Sequence, residues 1–235
     1  MTSKIQWEPI DGEKQIWSAK YKVPSFLSRM VAFLSKNNKP LLVGPGARLI
    51  GTLPPELAQA GDPQLALLPN SYHWMGFDAW KVKYPHMKAV AAAGAIPRLK
   101  KKGCQHVHSL DLFKKVLPDN ISLLVPEGLR WGEVWLRCQH PEGITWIVCD
   151  SFFNYSRLSN KLRARTLQKL FKAAPGLKIS ALVKYFLMKD RKIYKHWLFE
   201  QLAKDQPTTL VPAHGEILRD PDLPQKIKEL VQQRI

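Results

Sequence analysis

Three apolar segments end in residues that can bind a divalent metal. Leu67-Leu68 leads through Pro69-Asn70 to His73, Ile147-Val148-Cys149 leads to Asp150, and Leu210-Val211 leads through Pro212-Ala213 to His214. Strand C-termini are where α/β proteins place chemistry. Imidazole and carboxylate converging from several rims can hold one zinc, manganese or iron ion with a coordination position left for water. Asp150 is the expected catalytic ligand, with His73 and His214 beside it. Each residue also has a plainer reading. Asp150 can cap the following turn or pair with His214 across two strand ends, His214 can bond a loop carbonyl, and His73 can be a packed half-polar side chain. Gln105-His106-Val107-His108-Ser109-Leu110-Asp111 holds a second spacing that can clamp a transition metal. Ser71 and Ser151 lack the glycines of a nucleophile elbow. Gly44-Pro45-Gly46 lacks the Gly-Lys-Ser/Thr of a phosphate loop.

The elements that must position these residues follow from the pattern of the chain. Gln15–Val23 alternates as a strand, and Met30–Leu34 and Pro40–Val43 form a hairpin around Lys36-Asn37-Asn38-Lys39. Short helices are expected at 53–60, 77–84 and 95–102, separated by strands at 64–68 and 88–92. Strands at 121–125, 132–139 and 144–149 follow, the last two turned by Pro141-Glu142-Gly143. The segment from Arg157 to Lys204 reads as helices broken near Pro175-Gly176 and Asp190. A strand at 208–211 and a helix at 223–235 close the chain. Hairpins first and then strand–helix units predict a sandwich of two mixed sheets with helices outside, in a single domain spanning 1–235.

LVPAHGEIL resembles the last metal motif of the metallo-β-lactamase superfamily, and WIVCDSFFN resembles its Asp-bearing strand, whose carboxylate bridges two metals. LLPNSYHWMGFDAWKVKYPHMKAVAAAG is similar to a branch of that superfamily classed as a domain of unknown function. The resemblance covers about residues 28–220 in the same order. It implies a four-layer αββα sandwich and a metal-dependent hydrolase. It also implies that most ligands are replaced, because Asn70, Tyr72, Trp74 and Met75 fall where the catalytic loop carries His, His, Asp and His. Asp150, His214 and His73 remain, enough for one metal and too few for two. The expected activity is hydrolysis of an ester or phosphoester. Glu133 and His140 match a strand pair of the same branch, and Glu133 is expected to orient a neighbouring loop by accepting backbone N–H groups.

Charge points to a second function class. The 235 residues carry a formal net charge of +17. Twelve Lys or Arg stand against Asp190 and Glu200 between Arg157 and Glu200, a local net of +10. Such a field attracts nucleic acid or an acidic protein. Tyr185, Phe186, Tyr194 and Trp197 interleave there with Lys184, Lys189, Arg191, Lys192 and Lys195. Cations beside aromatics suit an anionic partner, although the same spacing is what a helix needs to bury one face. The alternative to an enzyme is therefore a non-catalytic descendant that binds an anion through this basic segment at 157–204. Three cysteines without CxxC spacing favour a reducing compartment, so a cytoplasmic protein is expected. The start of the chain does not read as a signal peptide, and no apolar run is long enough to span a membrane.

Overall fold

The computed structural model describes residues 5–23, 27–181 and 183–235. Two compact units divide the chain between Ser122 and Leu123. The first is built on a seven-stranded sheet of β1 (Trp7–Pro9), β2 (Ile16–Lys22), β3 (Leu27–Leu34), β4 (Pro40–Val43), β5 (Leu65–Leu67), β6 (Lys88–Ala91) and β7 (Val107–Ser109), lying side by side in chain order. The strands are antiparallel up to β4 and parallel from β4 to β7. The switch has a local cause. A turn at Lys36–Lys39, with Asn38 in the left-handed region at φ 55°, reverses the chain after β3. Each later step is a crossover through α1 (Pro55–Gln59), α2 (Phe77–Lys83) or α3 (Ile96–Lys101), as parallel strands require. α4 (Leu110–Lys114) follows β7. Trp80 of α2 is fully buried among Met30, Leu42, Ala66, Leu68 and Leu99, and its indole N–H donates to Gly46 O at 2.9 Å. A Cβ at Gly76 would lie 2.0 Å from Pro45 O, so only glycine lets the start of α2 pass the Gly44-Pro45-Gly46 bend. That bend is a packing element.

The second sheet has the order β13-β12-β10-β9-β8, with β11 on the outer half of β10. Its strands are β8 (Ile121–Leu124), β9 (Trp135–His140), β10 (Gly143–Tyr155), β11 (Gly176–Lys178), β12 (Thr209–Gly215) and β13 (Leu218–Arg219). Around it stand α5 (Leu162–Leu170), α6 (Arg191–Asp205) and α7 (Leu223–Arg234). β10 runs thirteen residues, well past the six that alternation and apolarity suggested, because residues 145–153 are all buried. Asp190 starts α6 by accepting N–H bonds from Lys192 and Ile193, which explains the helix break expected there. Within the basic segment the helices are joined by β11 and by a π-helical turn, Val183–Leu187. Among the described residues no helix is long and apolar enough to cross a membrane.

One buried carboxylate ties α6 to this sheet. Asp205 accepts from Arg137 Nε at 2.8 Å and from Trp146 Nε1 at 2.9 Å. Its side chain is fully buried, so removing it strands an indole N–H and a guanidinium. Asp205→Ala is therefore expected to cost about 2–4 kcal/mol of unfolding free energy, read by urea denaturation. Asp205→Asn, which keeps one acceptor, should cost less. Equal midpoints for Asp205→Ala and wild type would show that the network contributes nothing.

Candidate metal centre

The centre starts from a fault in the second sheet. β10 and β12 run parallel, pairing Thr145–Val148 with Thr209–Pro212 and resuming at Phe153 with His214. Between those points β10 has four residues, Cys149 to Phe152, against Ala213 alone. Pro212 has no N–H to extend the ladder, which is why the pairing lapses there. Gly215, at φ +102°, lets β12 close up again, since a Cβ would sit 2.0 Å from Asn154 O. The Pro-Ala-His-Gly motif thus has a backbone meaning: its proline opens the fault and its glycine closes it, with His214 between.

The fault leaves buried amides without ladder partners, and Glu133 receives three of them. Its carboxylate accepts from the N–H groups of Cys149, Asp150 and Ser151, each at 3.2 Å, and from Trp135 Nε1 at 2.6 Å. A buried amide left unpaired costs about 1–3 kcal/mol, so the carboxylate sets the path of the strand at Asp150. Glu133 accepts backbone N–H groups as expected, but they belong to strand β10 and not to a loop. Its own acidity is shifted: burial, and then the charge of Asp150, push the carboxyl from the ordinary 4.5 up to about 7, against the Trp135 and Ser151 hydrogen bonds.

Asp150 and His214 come together. Asp150 Oδ1 lies 3.2 Å from His214 Nε2, and both side chains are nearly enclosed. The imidazole is stacked on Phe153, with ring centroids 5.2 Å apart and planes within 7°. Two atoms bound to one zinc at ~2.0–2.1 Å in a tetrahedral site stand about 3.3 Å apart. The observed separation therefore suits a shared cation as well as a direct ion pair, and both readings of the sequence survive it. The Tyr155 hydroxyl, near the end of the same strand, is buried with no hydrogen-bond partner among the described residues, and burial and then the charge of Asp150 raise the phenol pKa. An orphaned buried hydroxyl on the strand that carries Asp150 fits a site that takes a hydrated ion.

Cys149 also stands beside Asp150, and sequence reasoning missed it. Neighbouring residues of a regular strand point to opposite faces, so Cys149 and Asp150 should not share a site. The fault breaks that alternation, and Cys149 Sγ lies within 4.8 Å of a carboxylate oxygen of Asp150. Burial, followed by the charges of Asp150 and Glu133, holds the thiol well above its usual pKa. The only signal in the sequence was Pro212 in a strand-like run.

His73 lies in the first unit, on the loop after β5. Asn70 accepts from the N–H groups of Tyr72 at 2.8 Å and His73 at 3.1 Å, a side-chain turn that shapes the loop. Tyr72 carries Arg98 Cζ 4.8 Å and Lys102 Nζ 4.7 Å from its ring centroid. Lys102 also donates to Ser71 O at 2.9 Å, and its pKa is lowered by burial and by the charge of Arg98. Asn70 and Tyr72, at positions where the resemblance implied ligands, are thus occupied by turn bonding and cation packing. His106 and His108 are exposed at the sheet edge, and Asp111 accepts from Ser109 Oγ at 3.2 Å.

The raised carboxyl of Glu133 has a consequence for stability. Between about pH 4.5 and 7 the folded protein holds a proton there that the unfolded chain releases, so this contribution is full below 4.5 and is lost as pH rises through 7. Unfolding free energy measured from pH 5 to 8 should fall more steeply in wild type than in Glu133→Gln, which cannot ionise. Parallel profiles would show that Glu133 does not titrate in this window.

No protein-family model matches the sequence, and neither does any curated protein. Solved structures do match. A metallo-β-lactamase from Pontibacter korlensis has a TM-score of 0.61 and 12% identity, covering 97% of this chain and 99% of that one. One from Hirschia baltica has a TM-score of 0.59 and 8% identity, covering 97% of each chain. The metal-soaked Flv1 flavodiiron core from Synechocystis sp. PCC6803 has a TM-score of 0.63 and 14% identity, covering 97% of this chain and 60% of that one. Identities this low carry the architecture alone, and each match runs over 97% of this chain, through both of its mixed sheets and their helices. This chain has the metallo-β-lactamase fold.

Proposed function

We propose that the protein is a metal-dependent hydrolase with a single ion, acting on an ester or phosphoester. The observation that carries this reading is the enclosed Asp150–His214 pair, 3.2 Å apart on a strand fault held by Glu133. A divalent ion held by Asp150 and His214 would supply Lewis acidity and bring the pKa of a bound water towards neutrality. The chain's own residues do the rest. Asp150 and His214 supply the donors, Glu133 orients the Asp150 backbone, and Phe153 keeps the imidazole plane fixed and excludes water from one side of it. His73, the third ligand read from the sequence, and Cys149 complete the set to be tested.

A second reading is favoured by a different observation. Tyr194 and Trp197 are core residues, but Tyr185 and Phe186 are 60% and 58% exposed among cations. That favours a surface for an anionic partner, carried by Lys184, Lys189, Arg191, Lys192 and Lys195 and independent of any metal.

Elemental analysis of protein purified without chelator or metal-affinity tag tests the first reading. About one zinc, manganese or iron per chain is expected, lost in Asp150→Asn and in His214→Ala. His73→Ala and Cys149→Ser should each weaken retention roughly 10–100-fold if their side chains are ligands. Hydrolysis of p-nitrophenyl esters and phosphodiesters should fall together with the metal. Under about 0.2 ion per chain after incubation with Zn²⁺, Mn²⁺ or Fe²⁺ rules the reading out.

A further inference from the structure

Helix α5 is folded inside out. It buries Ala164 and the polar Gln168, whose side-chain oxygen accepts from Ser159 N–H at 2.7 Å. Two of its three leucines face the other way, Leu162 at 76% and Leu170 at 67% exposed, with Arg163, Arg165 and Lys169 exposed among them, while Leu167 is half-buried. An amphipathic helix packed for a water-facing surface does the reverse. The same pattern continues across a hydrogen bond from Ala181 N–H to Phe171 O, 2.7 Å, which ties the end of α5 to the start of the π-helical turn. That turn buries Val183 and Leu187 and exposes Tyr185 and Phe186. Ile193 of α6 adds a fifth exposed apolar side chain, beside exposed Arg191 and Lys192. Half of the large apolar side chains exposed among the described residues therefore fall in this one basic segment, all within the second unit.

We infer that this face of α5, the π-helical turn and the start of α6 docks on an anionic phospholipid surface. The inference rests on the second reading, a surface for an anionic partner, and names that partner. Charge sets the sign of the surface, because the segment carries +10. Side-chain chemistry decides between lipid and nucleic acid. Leucine and isoleucine have no π-face for a base to stack on, and the Tyr185 ring already has Lys184 Nζ at 5.4 Å and Arg191 Cζ at 5.3 Å. Exposed leucines, an aromatic pair and a rim of Lys and Arg are what the boundary between headgroups and acyl chains accepts. The aliphatic groups would enter that boundary while the cations stay with the phosphates.

Flotation of the full-length protein with vesicles tests this. Vesicles of phosphatidylcholine containing about a third phosphatidylserine should retain it at least roughly tenfold better than phosphatidylcholine alone, and less at about 0.5 M than at about 0.1 M salt. The triple variant Leu162→Ser, Leu170→Ser, Phe186→Ser, checked for an unchanged thermal transition, should lose roughly tenfold of that binding. A second variant, Lys184→Gln with Arg191→Gln, should lose the preference for phosphatidylserine. Binding of the triple variant equal to wild type overturns the inference while leaving charge-driven binding in place. Binding to oligothymidylate but not to either vesicle overturns the lipid assignment and keeps the anionic-partner reading. Binding to none of these overturns both.

Discussion

The centre of the second unit depends on one carboxylate answering a break in a sheet. Pro212 cannot donate to the ladder between β12 and β10, and four residues of β10 then face one of β12. In a buried strand the amides released by such a break must find acceptors, because no water replaces the lost bonds. Glu133 accepts three in succession. That contact turns an irregular strand into a rigid one. It also frees Asp150 to meet His214 and brings Cys149 to the same side. Below it, Trp135 packs against Trp146, Phe152 and Trp197 at centroid distances of 5.2–5.8 Å, so the bonded indole is itself held in place.

The rigidity has an electrostatic counterpart. Two carboxyl groups, Glu133 and Asp150, are enclosed in one small region of the strand fault. Burial raises the pKa of the first, and the charge of the second raises it further. A cation held by Asp150 would oppose that effect, whereas a proton on either carboxyl relieves it. His214 Nε2 stands 3.2 Å from the Asp150 carboxylate, at the edge of this acidic region. The first unit brings positive charge to its loop by other means, with Arg98 and Lys102 both packed on Tyr72.

The basic segment follows a separate logic. Its buried residues, Tyr194, Trp197, Leu198 and Leu202, pack α6 onto the sheet in the usual amphipathic way. α5 does not, since a small residue and a glutamine take the inward positions. Folding alone does not require leucines on the outside of a cationic helix. An exposed apolar face of this kind marks contact with something other than water.

Much of the fold was legible from the sequence. The hairpin at Lys36–Lys39, the strands at 64–68 and 88–92 and the helix break at Asp190 all follow from local turn chemistry and periodicity, which act over a few neighbouring residues. The strands leading to His73, Asp150 and His214 were legible for the same reason, but β10 and β12 run on through Asp150 and His214 instead of ending before them. The hairpin Trp135–His140 with Gly143–Tyr155 was legible only in part, because apolarity marks a strand but does not say where its partner will fault. The company of Cys149, the direction of Leu162 and Leu170, and the exposure of Tyr185 and Phe186 were decided by tertiary structure. Alternation and helical periodicity assume an unbroken element. Pro212 pairing opposite Val148, and Gln168 accepting from the Ser159 N–H, are contacts between segments that no local spacing contains.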